Sequence, residues 1–235
     1  MLESITRYRD MSTVHTHLEI ITPDDKIPYA MHISTNPNLK PMVPRIGERQ
    51  SKSEDRTIPR VCVCNALIDC MNGYQAINHD YLENSPLPKK NTDFRGGWYI
   101  YHIPFTYALL PDKSLVGDQE LTNEYWLVSY SDDTKSYNPE RIGKFFLTAL
   151  EKQYRDDKSI YNLTLYIEND RDIYLYKDII LSSGKHKALY TYSEKDRIWS
   201  VENVDYTTIT DKEYYYIKDK TVSLLSHHEK PFVYW

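Results

Sequence analysis

Residues 161–192 read YNLTLYIENDRDIYLYKDIILSSGKHKALYTY. Runs of Tyr, Ile, Leu and Thr are interrupted by charged or small polar residues roughly every eight to twelve positions, the spacing of short strands joined by turns. Aromatic and β-branched side chains suit a half-buried pleated surface. The stretch therefore predicts an antiparallel meander or small sheet. The same texture continues in RIWSVENV (197–204), EYYYIKDK (213–220) and TVSLLSHH (221–228). Together these predict a Tyr-rich antiparallel β lobe over residues 158–235, divided from the preceding chain at Arg155-Asp156-Asp157-Lys158. Strand side chains alternate between faces, so Tyr214, Tyr215 and Tyr216 cannot all enter one core. With Phe232, Tyr234 and Trp235 they offer aromatic surface, which fits a lobe that docks on a protein partner.

Working back from this lobe, residues 1–157 read as a mixed domain, making the whole chain α+β. VHTHLEIITP (14–23) and IPYAMHI (27–33) predict a hairpin turning at Pro23-Asp24-Asp25. Residues 36–60, with four prolines and many charges, predict an irregular exposed loop. VCVC (61–64) predicts a short buried strand. NALIDCMNGYQAI (65–77) follows with helical spacing at Leu67, Cys70, Met71 and Tyr74. A polar loop is expected over 79–97, then single strands at GWYIYHIPFTYALL (97–110) and EYWLVSY (124–130). Asn138-Pro139-Glu140-Arg141 predicts the start of a helix running to about Arg155, its apolar face being Ile142, Phe145, Phe146, Ala149 and Leu150.

Composition narrows the function. Lys and Arg total 29 against 34 Asp and Glu, a net charge of −5. A non-specific nucleic-acid binder needs surplus cations to displace counterions, so that class is not expected. No apolar run approaches the roughly 20 residues of a membrane span. MLESITRYRD lacks the apolar core of a secretory leader. The three cysteines, Cys62, Cys64 and Cys70, are not a disulfide framework. A cytoplasmic location is expected, and the 22 tyrosines point to β-structure with wet edges.

Two residues carry the chemical argument. His32 lies in Met-His-Ile-Ser-Thr at the end of a predicted strand, and Glu124 opens a later one in Leu-Thr-Asn-Glu-Tyr-Trp-Leu. Between them stand the Pro59-Arg60-Val61-Cys62-Val63 strand and its helix. Over residues 28–150 this order resembles the ADP-ribosyltransferase fold in its His–aromatic–Glu branch, and phage-borne proteins that keep its outline. The resemblance implies an N-terminal split β-sheet with a few helices, NAD as cofactor and transfer onto a host macromolecule. It implies that Glu124 is catalytic, stabilising positive charge on the ribose as the nicotinamide leaves. His32 and Ser34 would then hold the adenosine ribose, Tyr74 would stack on nicotinamide, and Arg45 or Arg60 would pair with the pyrophosphate. Thr122 stands where many members carry Glu or Gln two residues before the catalytic glutamate, so transfer onto Arg or Cys side chains is not implied.

Other chemistries fit less well. Cys62, Cys64 and Cys70 with His79 could supply four zinc ligands, but the one-residue gap between Cys62 and Cys64 suits a buried strand better. His32-x-Ser34 is half of a two-histidine phosphoesterase motif, and His102, followed by Ile103-Pro104, does not complete it. The alternative from another class is a non-catalytic phage or mobile-element protein that binds and inhibits a host protein.

Overall fold

The computed structural model describes residues 18–24, 28–47, 54–74, 98–129, 136–153, 158–176, 179–193, 196, 198–200 and 207–208. In chain order these form β1 (Leu18–Ile21), β2 (Ala30–Ser34), β3 (Arg60–Val63), α1 (Leu67–Gly73), β4 (Trp98–Ile103), β5 (Ala108–Pro111), α2 (Gln119–Thr122) and β6 (Tyr125–Val128). There follow β7 (Glu140–Gln153), β8 (Lys158–Ile167), β9 (Ile173–Tyr176), β10 (Ile179–Leu181), β11 (Gly184–Ser193), β12 (Ile198–Ser200) and β13 (Thr207–Thr208). The class is β-rich α+β, with two helices among the described residues and antiparallel sheets. No helix among them is long and apolar enough to cross a membrane.

The residues group into two compact units. The first takes the chain up to Gly73, Ile100–Arg141 and Tyr174–Ile179; the second takes Tyr74–Tyr99, Ile142–Ile173 and the chain from Ile180. The expected boundary at residue 157 itself lies outside the described residues. Chain on either side of it pairs in one ladder, β7 against β8, from Gly143↔Ile167 to Gln153↔Lys158.

The first unit is built on a four-stranded antiparallel sheet in the order β1-β5-β6-β3. Its core follows the two-residue period of a strand. Val61 and Val63 of β3 and Tyr125 and Leu127 of β6 turn to one face, with Ala30, Ile103, Ala108 and Tyr137. Trp126 and Val128 turn to the other, with Ile58, Leu109 and Val116. Because both faces are covered, a slip of one residue would exchange two different cores, and the register is firmly specified.

Three sequence expectations are corrected here. Among the described residues of 14–23 and 27–33 no hairpin forms: β1 pairs with β5, Leu18↔Pro111 to Ile21↔Ala108. That pairing sets Leu18 against one core and Ile21 against the other. The strand expected over 97–110 is two strands, divided where Pro104 has no amide hydrogen to continue a ladder. Part of the supposed loop 36–60 is tied down by backbone pairs, Met42 with Tyr137 and Arg45 with Arg60.

In the second unit β7, β8, β11 and β12 form an antiparallel sheet, with β13 also pairing β11. Here falls the largest correction, because the helix expected from Asn138 to Arg155 is the 14-residue strand β7. Of the meander expected from residue 160 onward, β8, β11 and β12 pair in turn, whereas β9 and β10 form a two-stranded sheet of their own. The last two expected segments, 213–220 and 221–228, lie outside the described residues, as does the 79–97 loop. Phe145, Leu165, Ile167, Ala188, Tyr190 and Tyr192 are buried on one face, where Phe145 stacks on Trp98 at 5.3 Å and Tyr192 meets Trp199 at 5.1 Å. Tyrosine thus fills cores as well as edges. Tyr101 and Tyr125 in the first unit are buried as completely as Tyr190 and Tyr192 in the second.

Candidate functional site

The residues with chemistry gather along the β3–β6 ladder of the first unit. Register sets Arg60 opposite Val128 and Cys62 opposite Trp126. Side chains two apart on a strand share a face, so Arg60, Cys62 and Trp126 lie together. Glu124 immediately precedes β6. Asn123 before it caps α2 in the left-handed region (φ 42°, ψ 38°), a conformation that asparagine tolerates better than most residues. This turn ends α2 and delivers Glu124 to the sheet, where the Gln119 side chain donates to its backbone carbonyl at 2.8 Å.

The Glu124 carboxylate is held from two sides. Trp126 Nε1 donates to Oε1 at 2.7 Å, and the Cys62 thiol also hydrogen-bonds it. Burial raises the Glu124 pKa; the hydrogen bonds from Cys62 and Trp126 and the charge of Arg60 pull it part of the way back. Burial, followed by the nearby Glu124 charge, pushes the Cys62 thiol well up, so it stays protonated and serves as a donor rather than a nucleophile.

His32 reaches the same strand from β2. Its Nδ1 lies 3.3 Å from the Cys62 carbonyl oxygen. A carbonyl can only accept, so the ring carries its proton on Nδ1 and presents Nε2 as a lone-pair acceptor. Burial lowers its pKa, against the opposing pull of the Cys62 carbonyl, and the imidazole is neutral at pH 7. His32 and Glu124, 92 positions apart, therefore meet at one residue: Cys62 stands between them, its carbonyl on His32 and its thiol on Glu124.

The remaining expected site residues are dispersed. Ser34 is half-buried, and its Oγ accepts from the Asn36 amide at 3.1 Å. Asn36 in turn accepts from the Asn38 amide at 2.9 Å, and Tyr101 donates to the Asn36 carbonyl, so this turn is ordered by its own side chains. Arg45 is exposed, and its backbone pairs with Arg60. The Arg60 side chain is wholly buried and engaged by Glu54 at 3.4 Å, by the Asp55 and Ile58 carbonyls and by the Trp126 ring. A pyrophosphate role for Arg60, the alternative to Arg45, is thereby corrected, because its Nη1 and Nη2 are directed at protein acceptors under the surface. Tyr74 is half-buried and groups with the second unit.

Sequence reasoning missed Cys62 as a hydrogen-bond donor, Glu54 and Asp55 as partners of Arg60, and the contact from Asn123 Nδ2 to Asp69 Oδ1 at 2.9 Å. Alternation of Arg60 and Cys62 was visible; the cross-strand register that brings Trp126 and Glu124 to them was not. A cavity of about 230 Å³ elsewhere in this unit is lined by Pro104, Phe105, Thr106, Ser136, Tyr137 and Asn138, none of them an expected site residue. Among the described residues no group of three or more His, Cys, Asp or Glu is arranged to hold a metal ion. No family model matches the chain, and no curated protein or solved structure is similar enough to count as a match.

Asp69 supplies a pH test of this neighbourhood. Burial raises its carboxyl pKa to about 6, against the hydrogen bond from Asn123. The acid is therefore favoured in the fold relative to the unfolded chain. The stability it contributes is complete below about pH 4, is lost as pH rises through about 6, and amounts to about 3 kcal/mol for a two-unit shift. Asp69→Asn should match the parent chain at pH 4 and exceed it at pH 7.5 in urea unfolding. Equal stabilities at pH 7.5 would contradict the assignment.

Proposed function

We propose that the first unit binds NAD and catalyses ADP-ribosyl transfer to a macromolecule, with Glu124 as the catalytic carboxylate. One observation carries this reading: His32 of β2 and Glu124, just before β6, both reach Cys62 of β3, giving a neutral imidazole acceptor and a fixed carboxylate around one residue. In this assignment His32 Nε2 accepts from a ribose hydroxyl, and Glu124 stabilises the ribose cation as the nicotinamide leaves. Ser34 sits two residues beyond His32 on the same strand, and exposed Arg45 is the cation assigned to the pyrophosphate. The split-sheet ADP-ribosyltransferase fold belongs to the same proposal. Host-protein docking through residues 158–235 is a further part of it.

A second reading has its own support. Both donors on Glu124 come from the protein, which is what a carboxylate that only braces the β3–β6 ladder would show. The chain is then a non-catalytic binder of a host protein. Thermal unfolding with added NAD separates the two. The transferase reading expects a midpoint that rises with NAD concentration, by about 2.7 kcal/mol of stabilisation at 100 times the Kd. His32→Ala should remove the shift. A midpoint independent of NAD up to millimolar concentration would leave the binder.

A further inference from the structure

Behind the Glu124 site, at the end of β3, the other two cysteines share a separate environment. Cys64 and Met31 exchange backbone hydrogen bonds, with Cys64 N 3.0 Å from the Met31 carbonyl oxygen. Cys70, in the first turns of α1, directs its Sγ to that same oxygen at 3.5 Å. One acceptor thus gathers the backbone of one cysteine and the sulfur of the other, and the Cys64 thiol donates to the Cys70 sulfur. The turn between β3 and α1 closes the intervening five residues, Asn65 to Asp69, back on themselves, and Cys70 N bonds the Ala66 carbonyl at 3.1 Å. Tyr125 OH donates to the Cys64 carbonyl at 2.9 Å and fixes the strand end from the β6 side. Both cysteines are nearly inaccessible, at 5% and 6% exposure. Cys62 is not part of this pair, since its thiol is turned to Glu124.

We propose that Cys64 and Cys70 are an oxidisable dithiol which a peroxide closes to a disulfide, fastening α1 to the end of β3, while Cys62 stays reduced. Hydrogen peroxide, small and uncharged, is an oxidant able to enter so closed a site. The Cys70 thiol gives up its proton and its sulfur attacks one peroxide oxygen. The O–O bond breaks, and the departing hydroxide takes that proton to become water, leaving a sulfenic acid on Cys70. The Cys64 sulfur then attacks the Cys70 sulfur. An S–S bond forms, the S–O bond breaks, and the oxygen leaves as hydroxide, which the Cys64 proton converts to a second water. Two thiols lose two electrons, and one peroxide becomes two waters. The hydrogen bond to Cys70, followed by burial, pushes the Cys64 thiol well up, so the reaction is slow and answers sustained rather than brief exposure.

The test exposes the full chain to hydrogen peroxide at a dose that closes disulfides in the urea-unfolded chain. After quenching and denaturation, free thiols are alkylated and the peptide holding all three cysteines is fragmented in a mass spectrometer. The expected product has one alkylated cysteine, Cys62, and a dithiothreitol-reversible link between Cys64 and Cys70. Cys62→Ser should close the same link. Three alkylated cysteines in the folded chain, or a link that includes Cys62, would overturn the proposal. The parent chain is sufficient for this measurement, so a variant that fails to fold does not blunt it.

Discussion

Arg60→Ala should lower the stability of the chain by about 3–5 kcal/mol, the range seen when one member of a buried ion pair is removed. The guanidinium side chain is 0% exposed, and its Nη1 donates to the Asp55 carbonyl at 2.8 Å and the Ile58 carbonyl at 3.2 Å. Nη2 reaches Glu54 at 3.4 Å, and the group lies 4.1 Å over the centre of the Trp126 ring. Truncation leaves two carbonyls and a carboxylate beside a void under a fully buried tryptophan. Arg60→Lys should recover little, because a single ammonium cannot reproduce donors aimed in several directions from one plane. Arg60→Met together with Glu54→Gln should recover more, since it removes the stranded charge and keeps apolar volume on Trp126. Urea unfolding followed by tryptophan fluorescence measures all of these. A loss below about 1 kcal/mol for Arg60→Ala would mean that the cluster is solvated and ordinary.

Gly143→Ala should cost about 3 kcal/mol, at the upper end of what an overpacked site usually loses. A Cβ at this position would collide with the Tyr166 carbonyl oxygen and stand 3.2 Å from Ile167 Cα. Both are backbone atoms of β8, opposite Gly143 in the ladder, so no side chain can swing aside. The ladder itself must shift, and with it the placement of neighbouring Phe145 against Trp98. Gly73→Ala is the control: its Cβ would meet Thr122 Cγ2 at 3.7 Å, an ordinary contact. That change should leave stability within about 0.5 kcal/mol of the parent or above it. Equal effects from the two substitutions would contradict the β7–β8 register.

The β character of the chain was legible because its signal is local. Alternation in Val61-Cys62-Val63 and Tyr125-Trp126-Leu127 matches the two cores that those side chains enter. Residues 138–155 show where local pattern fails. Ile142, Phe145, Phe146, Ala149 and Leu150 satisfy a helical stripe, yet they also suit a long strand whose irregularity lies between Ala149 and Glu151. Pairing with β8 decides between them, and no window on β7 alone contains that partner. The hairpin expected around Pro23 failed for the same reason, because β5, the true partner of β1, lies almost ninety positions further on.

Legibility of the site divides in a similar way. His32 and Glu124 were identified on strand ends, and they do approach a common residue. What they approach was not legible, because Cys62 becomes their link through a carbonyl facing one neighbour and a thiol facing another. The resemblance assigned Arg45 or Arg60 to the pyrophosphate, and Arg60 lies beside a charged, proline-rich stretch. Asp55, five residues earlier, uses its carboxylate to order that stretch, accepting from Thr57 N at 2.9 Å and Ile58 N at 3.0 Å, while its carbonyl takes Arg60 Nη1. Such short loops that fold on themselves consume charge that sequence alone reads as free for ligands.

At the root of the functional proposal is a carboxylate that acts on a glycosidic bond rather than merely bracing two strands. Release of nicotinamide from NAD, followed by chromatography for the parent chain and Glu124→Gln, addresses this most directly. A catalytic Glu124 predicts release by the parent and a fall of about 100-fold or more in Glu124→Gln, the scale on which a preorganised electrostatic group acts, with the urea midpoint little changed. Equal rates in the two proteins, or no release by either, would contradict that role.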